Sequence, residues 1–333
     1  MSSVRKAKQK FSIGVVSVCL GMILIGCGQG REESPDEFPS RAIQIICPWG
    51  AGGGTDTVSR ICAKGLQEVL GARVNVINEA GGAGVSGHAA GAKAKPDGYT
   101  LTMLTAEIDM MHWRGLTDVG PTNFEPIMIM NKVCGSIFVR ENSPWQTMQD
   151  LRNAVQENPG RFTASGTAKG GIWHLACAAW LSACGLSPDA LTWVPSTGAA
   201  AGLQQLISEG IDVVFCSPAE GKPLLDAGKV RLIAILSSER NPMFPDVPTC
   251  VEQGVNAEIY GWAGLAAPIG TPQPILNRLE DALQEVAATK DFETSMHNVG
   301  FLVDTENAQR FREILQADDI QFGQLLKDAG IVE

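Results

Sequence analysis

Short runs of consecutive apolar residues alternate along this chain with longer stretches whose apolar positions return every three or four residues. Ile43–Cys47, Arg73–Ile77 and Thr100–Leu104 are of the first kind and predict strands. Asp56–Leu70 and Val85–Ala94 are of the second kind and predict helices between them. Two more strand patterns follow near Pro126–Met130 and Ser136–Val139. A second series then predicts helix Thr147–Asn158, strand Arg161–Ala164, helix Ile172–Cys184, strand Thr192–Pro195 and helix Ala199–Glu209. Strands Asp212–Phe215 and Leu232–Leu236 close that series. After Gly261 come an apolar stretch, a Gly270-Thr271-Pro272 break and two or three helices. Regular alternation of strands with helices of this length implies βαβ units and parallel sheets. The chain has 333 residues, enough for about two domains. The expected fold is therefore α/β, with two doubly wound, mainly parallel lobes.

The N-terminus breaks the pattern. Arg5, Lys6, Lys8 and Lys10 precede an apolar run, Phe11–Gly26, that is too short to span a bilayer and suits a secretory signal. Leu24-Ile25-Gly26-Cys27 resembles a bacterial lipobox, with residues 1–26 as signal peptide and Cys27 as the lipidated residue. Residues 27–39 read as a polar tether. The expected location is thus outside the cytoplasm, periplasmic or cell-surface, at a membrane.

Composition narrows the function. Hydrophobic residues make up 44% of the chain and charged residues 19%, with a formal net charge of -10. No basic excess exists to release counterions from a nucleic acid. Seven cysteines lie beyond Cys27 with no C-x-x-C pair, and read as buried small hydrophobes.

Candidate chemistry sits where strands end. Strand Ile43–Cys47 runs into Pro48-Trp49-Gly50-Ala51-Gly52-Gly53-Gly54 and then a helix. Unpaired N–H groups and the helix dipole make such a junction an anion site, and glycine removes side chains that would keep a ligand away. Thr55 or Asp56 is placed to cap the helix; Asp56 could alternatively hold a cationic group. The arrangement recurs at Ser165-Gly166-Thr167-Ala168, at Ser196-Thr197-Gly198 and at Ser217-Pro218. Gly82-Ala83-Gly84-Val85-Ser86-Gly87 fits a dinucleotide fingerprint, but it follows the second strand and lacks a strand-end acid about 20 residues on. None of the four histidines has metal-ligand spacing, so neither a metal nor a cofactor is expected. Ser165 and His174, nine apart across a helix start, define a hydrolase alternative with poor geometry.

Several segments resemble the extracytoplasmic solute receptors of tripartite tricarboxylate transporters, the Bug family. They are Phe38–Leu101, ending in Pro-Asp-Gly-Tyr-Thr-Leu; Phe162–Trp180; Gly202–Phe215; Val230–Gly254; and Gly261–Leu279. The resemblance implies a two-lobed, flytrap-like fold with no enzyme activity. Lobe 1 would comprise 40–137 and 253–333, and lobe 2 138–252. It implies capture of an organic acid by backbone N–H groups, and docking on a small and a large membrane subunit. Its implied site residues are Trp49, Gly50, Ala51, Gly53, Asp56, Ser165, Gly166, Thr167, Ala168, Thr197, Gly198 and Ser217. A sensory role toward a membrane kinase is the alternative.

One departure bears on the ligand. Glu107 and Asp109 stand at the expected cleft edge, where the family usually has small polar residues. At ~4 Å and an effective dielectric of ~20, a second ligand carboxylate would be repelled by about 4 kcal/mol. Either Glu107 points away or the far end of the ligand is neutral or cationic; a monocarboxylate, or a zwitterion such as an amino acid, is expected over citrate.

Overall fold

The computed structural model describes residues 37–333. The expected signal peptide, Cys27 and most of the tether lie outside that range. Phe38, at the tether's end, is buried and packs edge-on against Tyr99 at 5.0 Å between ring centroids.

The first half-sheet is built from β1 (Ile43–Cys47), β2 (Val74–Asn78) and β3 (Thr100–Thr105), in parallel order β2-β1-β3. Helix α1 (Gly54–Leu70) links β1 to β2, and α2 (Val85–Ala92) links β2 to β3. Both strands are largely buried: β1 is apolar apart from Gln44, and β3 alternates threonines with Leu101, Met103 and Leu104. Gly87 and Gly91 let α2 lie close on these strands. A Cβ at Gly87 would meet Pro48 Cα at 2.5 Å, and one at Gly91 would meet Thr102 Oγ1 at 1.9 Å. The glycine fingerprint here thus packs a helix.

The sequence pattern predicts two strands between 126 and 139. The structure has one, β4 (Phe124–Arg140). Its polar midpoint, Asn131-Lys132, keeps its backbone pairing with Ala263 and Trp262 of β9 (Tyr260–Pro268), so polarity does not interrupt the ladder. Lys132 reaches out to Asp304 and Glu306 at 3.1 and 2.8 Å. Strand β4 pairs with β9 up to Cys134 and from Gly135 with β8 (Val230–Leu236), both antiparallel. β9 also pairs antiparallel with β3.

The second half-sheet adds β5 (Phe162–Ser165), β6 (Leu191–Trp193) and β7 (Val213–Cys216), parallel in the order β6-β5-β7, with β7 antiparallel to β4. Its helices are α3 (Met148–Glu157), α4 (Ile172–Ala183), α5 (Ala199–Ile207) and α6 (Pro218–Asp226). The whole is an α/β two-lobed fold in which β4 belongs to both half-sheets. The antiparallel members β4, β8 and β9 make the sheet mixed.

Helix α6 has no counterpart in the sequence reading. Its start is a capping box: the Ser217 hydroxyl accepts from Glu220 N–H at 3.4 Å, and Glu220 accepts from Ser217 N–H at 3.0 Å. Three C-terminal helices, α7 (Gln273–Ala287), α8 (Lys290–Asn298) and α9 (Ala308–Asp328), return to the first half. Leu276, Leu279, Leu283 and Val286 of α7 are buried with Val58, Cys62 and Leu66 of α1 in one core. Each large side chain so buried contributes roughly 1.5–3 kcal/mol. A second core, around Phe138, Trp180 and Phe215, fills the other half and continues to Leu104 of β3, to Ile108 and Met110 after it and to Phe311 and Leu315 of α9.

Candidate functional site

Three of the strand-to-helix junctions flagged in the sequence, together with the capping box of α6, meet at one cavity of about 200 Å³. The starts of α1, α4, α5 and α6 all contribute lining residues. Of the expected residues, Trp49, Gly50, Ala51, Gly53, Glu107, Thr167, Thr197, Gly198 and Ser217 line it. Asp56, Ser165, Gly166 and Ala168 do not.

The first three of these shape the wall from behind. Helix α1 begins two residues earlier than a Thr55 cap would put it and three earlier than an Asp56 cap, with Gly53 as N-cap. Asp56, 4% exposed, turns its carboxylate back into the loop. It accepts from Gly52 N–H at 2.9 Å, Asn78 Nδ2 at 2.8 Å and Arg60 Nε at 3.1 Å. Burial alone would raise this carboxyl, but the hydrogen bonds from Arg60, Gly52 and Asn78 hold it below its usual range. Its capacity for a cation is therefore filled by Arg60. Ser165 is fully buried and donates its hydroxyl to the Val194 carbonyl at 2.7 Å. A Cβ at Gly166 would lie 2.1 Å from the Phe215 carbonyl oxygen, so close backbone packing requires glycine there. His174 accepts the Gly170 N–H at Nδ1 (2.8 Å), and burial, then Lys169 and Arg114, push it down to about 4. Ser165 and His174 thus each hydrogen-bond a backbone group rather than one another.

Glu107 is held across the lobes. It is 3% exposed, on a 3-10 turn after β3. Its Oε2 accepts the Thr105 hydroxyl at 2.6 Å, and Thr105 Oγ1 in turn accepts the Trp49 Nε1–H at 3.2 Å. Its Oε1 accepts the Ile172 N–H at 3.2 Å, the first amide of α4. Trp49 is therefore tied into the wall by its indole nitrogen. Glu220 of α6 does the converse. Its Oε2 accepts from Ser217 N–H and hydroxyl at 3.0 and 2.9 Å, and its Oε1 lies beside Gly54 at the start of α1, whose amide favours the ionised carboxylate. Burial, with the nearby Glu107 charge adding to it, raises the Glu220 carboxyl above its usual range.

Each half thus places a glutamate on the N-terminus of a helix of the other half. Helix α5 is different. Its N-cap is Gly198, its first turn holds no acid, and Ala199, Ala200 and Ala201 line the cavity. The rest of the wall includes Trp173, Trp262, Phe301 and Asn131, none of which the sequence analysis singled out. Among the described residues, the only charged ones lining the cavity are Glu107 and Glu220.

An α/β chain of two lobes sharing one long strand, with helix starts converging on a cleft, is the architecture of a solute-binding receptor. A family profile described as the tripartite tricarboxylate transporter family receptor matches residues 58–331. The chain belongs to that family. It is 29% identical over 286 residues to protein BugT of Bordetella pertussis, covering 82% of this chain and 86% of BugT. Among solved structures it is similar to Rpa4515 of R. palustris with adipate, at 26% identity and a TM-score of 0.82, covering 88% of this chain and 98% of that one. MatC of Rhodopseudomonas palustris, with bound malate, aligns at 25% identity and a TM-score of 0.79, covering 87% of this chain and all of that one.

Proposed function

We propose that this chain is an extracytoplasmic receptor that captures a small organic acid in the cavity and delivers it to the two membrane subunits of a tripartite transporter. The N-terminal segment would export it and the lipid on Cys27 would hold it at the membrane. Lobe 1 (residues 40–137 and 253–333) would close on lobe 2 (residues 138–252), with β4 carrying the connection. The observation that carries the reading is the open start of α5. Starts α1, α4 and α6 already receive a carboxylate of the chain itself. The amides of Ala199–Ala201 receive none, and a ligand carboxylate there would meet the positive end of the helix. The adipate and malate bound by the two Rhodopseudomonas relatives are acids of this class.

Ala199→Pro tests this placement. Proline is accommodated at the first helical position, and the preceding Gly198 is already extended at ψ 170°. The variant removes one donor without removing an intrahelical bond. A hydrogen bond to a charged group contributes about 1.5–3 kcal/mol, so carboxylate affinity by calorimetry should fall roughly 10- to 100-fold with the melting temperature unchanged. Unaltered affinity for every carboxylate that binds would place the acid group elsewhere.

A further inference from the structure

The cavity that would take a carboxylate at α5 offers acceptors on its other side. Glu107 and Glu220 both line it, and each keeps carboxylate lone pairs beyond the hydrogen bonds that position it. Asn131, in the middle of β4, lines it too. It is 3% exposed, and its Oδ1 has no hydrogen-bond partner among the described residues. A buried acceptor without a donor is uncommon, and here it stands beside a cavity. Trp49, Trp173 and Trp262 add aromatic surface. Among the described residues no basic side chain lines the wall. The guanidinium of Arg114 packs against Gly170 behind the wall and offsets part of the Glu107 charge.

We propose that the solute carries a protonated amino group as well as a carboxylate, the ammonium donating to Glu107, Glu220 and Asn131 Oδ1 while the carboxylate caps α5. This rests on the carboxylate reading given above and specifies the other end of the same ligand. Dicarboxylates would put a second anion against two glutamates. An ammonium beside Glu220 also draws that carboxyl back into its ionised form, offsetting the effect of burial.

The test is calorimetry on the purified chain with matched pairs that differ only in the amino group. Leucine is set against 4-methylpentanoate and γ-aminobutyrate against butyrate, with succinate, adipate and butylamine alongside. The expected result is that at least one amino acid binds and its deaminated partner binds roughly 100-fold more weakly, as for loss of a buried charge-assisted partner. Glu107→Gln keeps an acceptor for the Ile172 amide. It should weaken the zwitterion at least tenfold and bring its affinity toward that of the deaminated acid. Deaminated acids or dicarboxylates binding as tightly as the zwitterions would overturn the inference and leave the carboxylate reading standing. Butylamine binding as tightly as the amino acids would overturn the carboxylate reading instead. No binding by any amino acid overturns the inference.

Discussion

Asp109 is a carboxyl group in the wrong medium, and its removal should stabilise the protein increasingly as pH rises. It is fully buried, and neither carboxylate oxygen has a hydrogen-bond partner among the described residues. Burial, and then the charges of Asp318 and Asp319, push it well above the ordinary carboxyl range. The sign follows from linkage. Below about pH 3.9, the unfolded value, the group is protonated in both states and has no effect. Above it the unfolded chain releases the proton and the folded chain keeps it. Stability is then lost at about 1.4 kcal/mol per pH unit until the folded group ionises as well. The amide introduced by Asp109→Asn would have the same shape and no such slope. Chemical denaturation of wild type and this variant at pH 5, 6 and 7 isolates the effect, because other titrating groups are common to both. The stability difference should grow in favour of the variant as pH rises, by at most about 1.4 kcal/mol per pH unit, until the folded carboxyl itself ionises. Parallel curves for the two proteins would refute the reasoning, since they would mean that Asp109 ionises in the folded chain as readily as in the unfolded one.

Two further outcomes follow from the site and the core. Asp56→Ala should weaken ligand binding although Asp56 does not line the cavity, because the Gly52 amide, Asn78 and Arg60 lose their common acceptor. Denaturant unfolding should show a loss of about 1–3 kcal/mol, and in the wild type that contribution should fade in acid as the carboxyl takes up its proton. The seven cysteines from Cys47 to Cys250 are all buried, and burial raises Cys134 and Cys184 to about 11 and Cys250 to about 12. A thiol reagent at pH 8 should leave these seven nearly untouched in the native chain and modify all of them on unfolding, since the thiolate is the reactive form. Prompt reaction of several in the native chain would contradict the packing described.

What is legible in the sequence depends on how local the cause is. Strands β1 and β3 carry apolar residues on both faces, and α1 begins at a glycine run, so their places can be read from neighbours alone. Strand β4 reads as two because Asn131 and Lys132 interrupt its apolar run. What keeps it whole is pairing with Ala263 and Trp262, far away in the chain. Helix α6 carries a usable signal, Ser217-Pro218-Ala219-Glu220, a capping box with proline at the first turn. Glu107 reads as a cleft-edge residue from its position after β3. That its carboxylate rests on the first amide of α4 is not readable, since that contact joins residues 65 apart. Ser165 and Gly166 stand in the right loop. Only the tertiary neighbours Val194 and Phe215 show that they support the wall instead of facing the cavity.

The exchange of glutamates between the halves separates two properties that evolution can then vary independently. Backbone amides at the helix starts come with the fold and change little under point mutation. Under the proposed reading, which of them a cargo must neutralise is decided by single side chains at positions 107 and 220. A lineage could move from a dianion to a zwitterion by acquiring one acid, or back by losing it, without rebuilding either lobe. On that view the cavity functions as a charge ledger kept partly by the protein itself, and the cargo class of a relative should be readable from how many of its helix starts are already occupied.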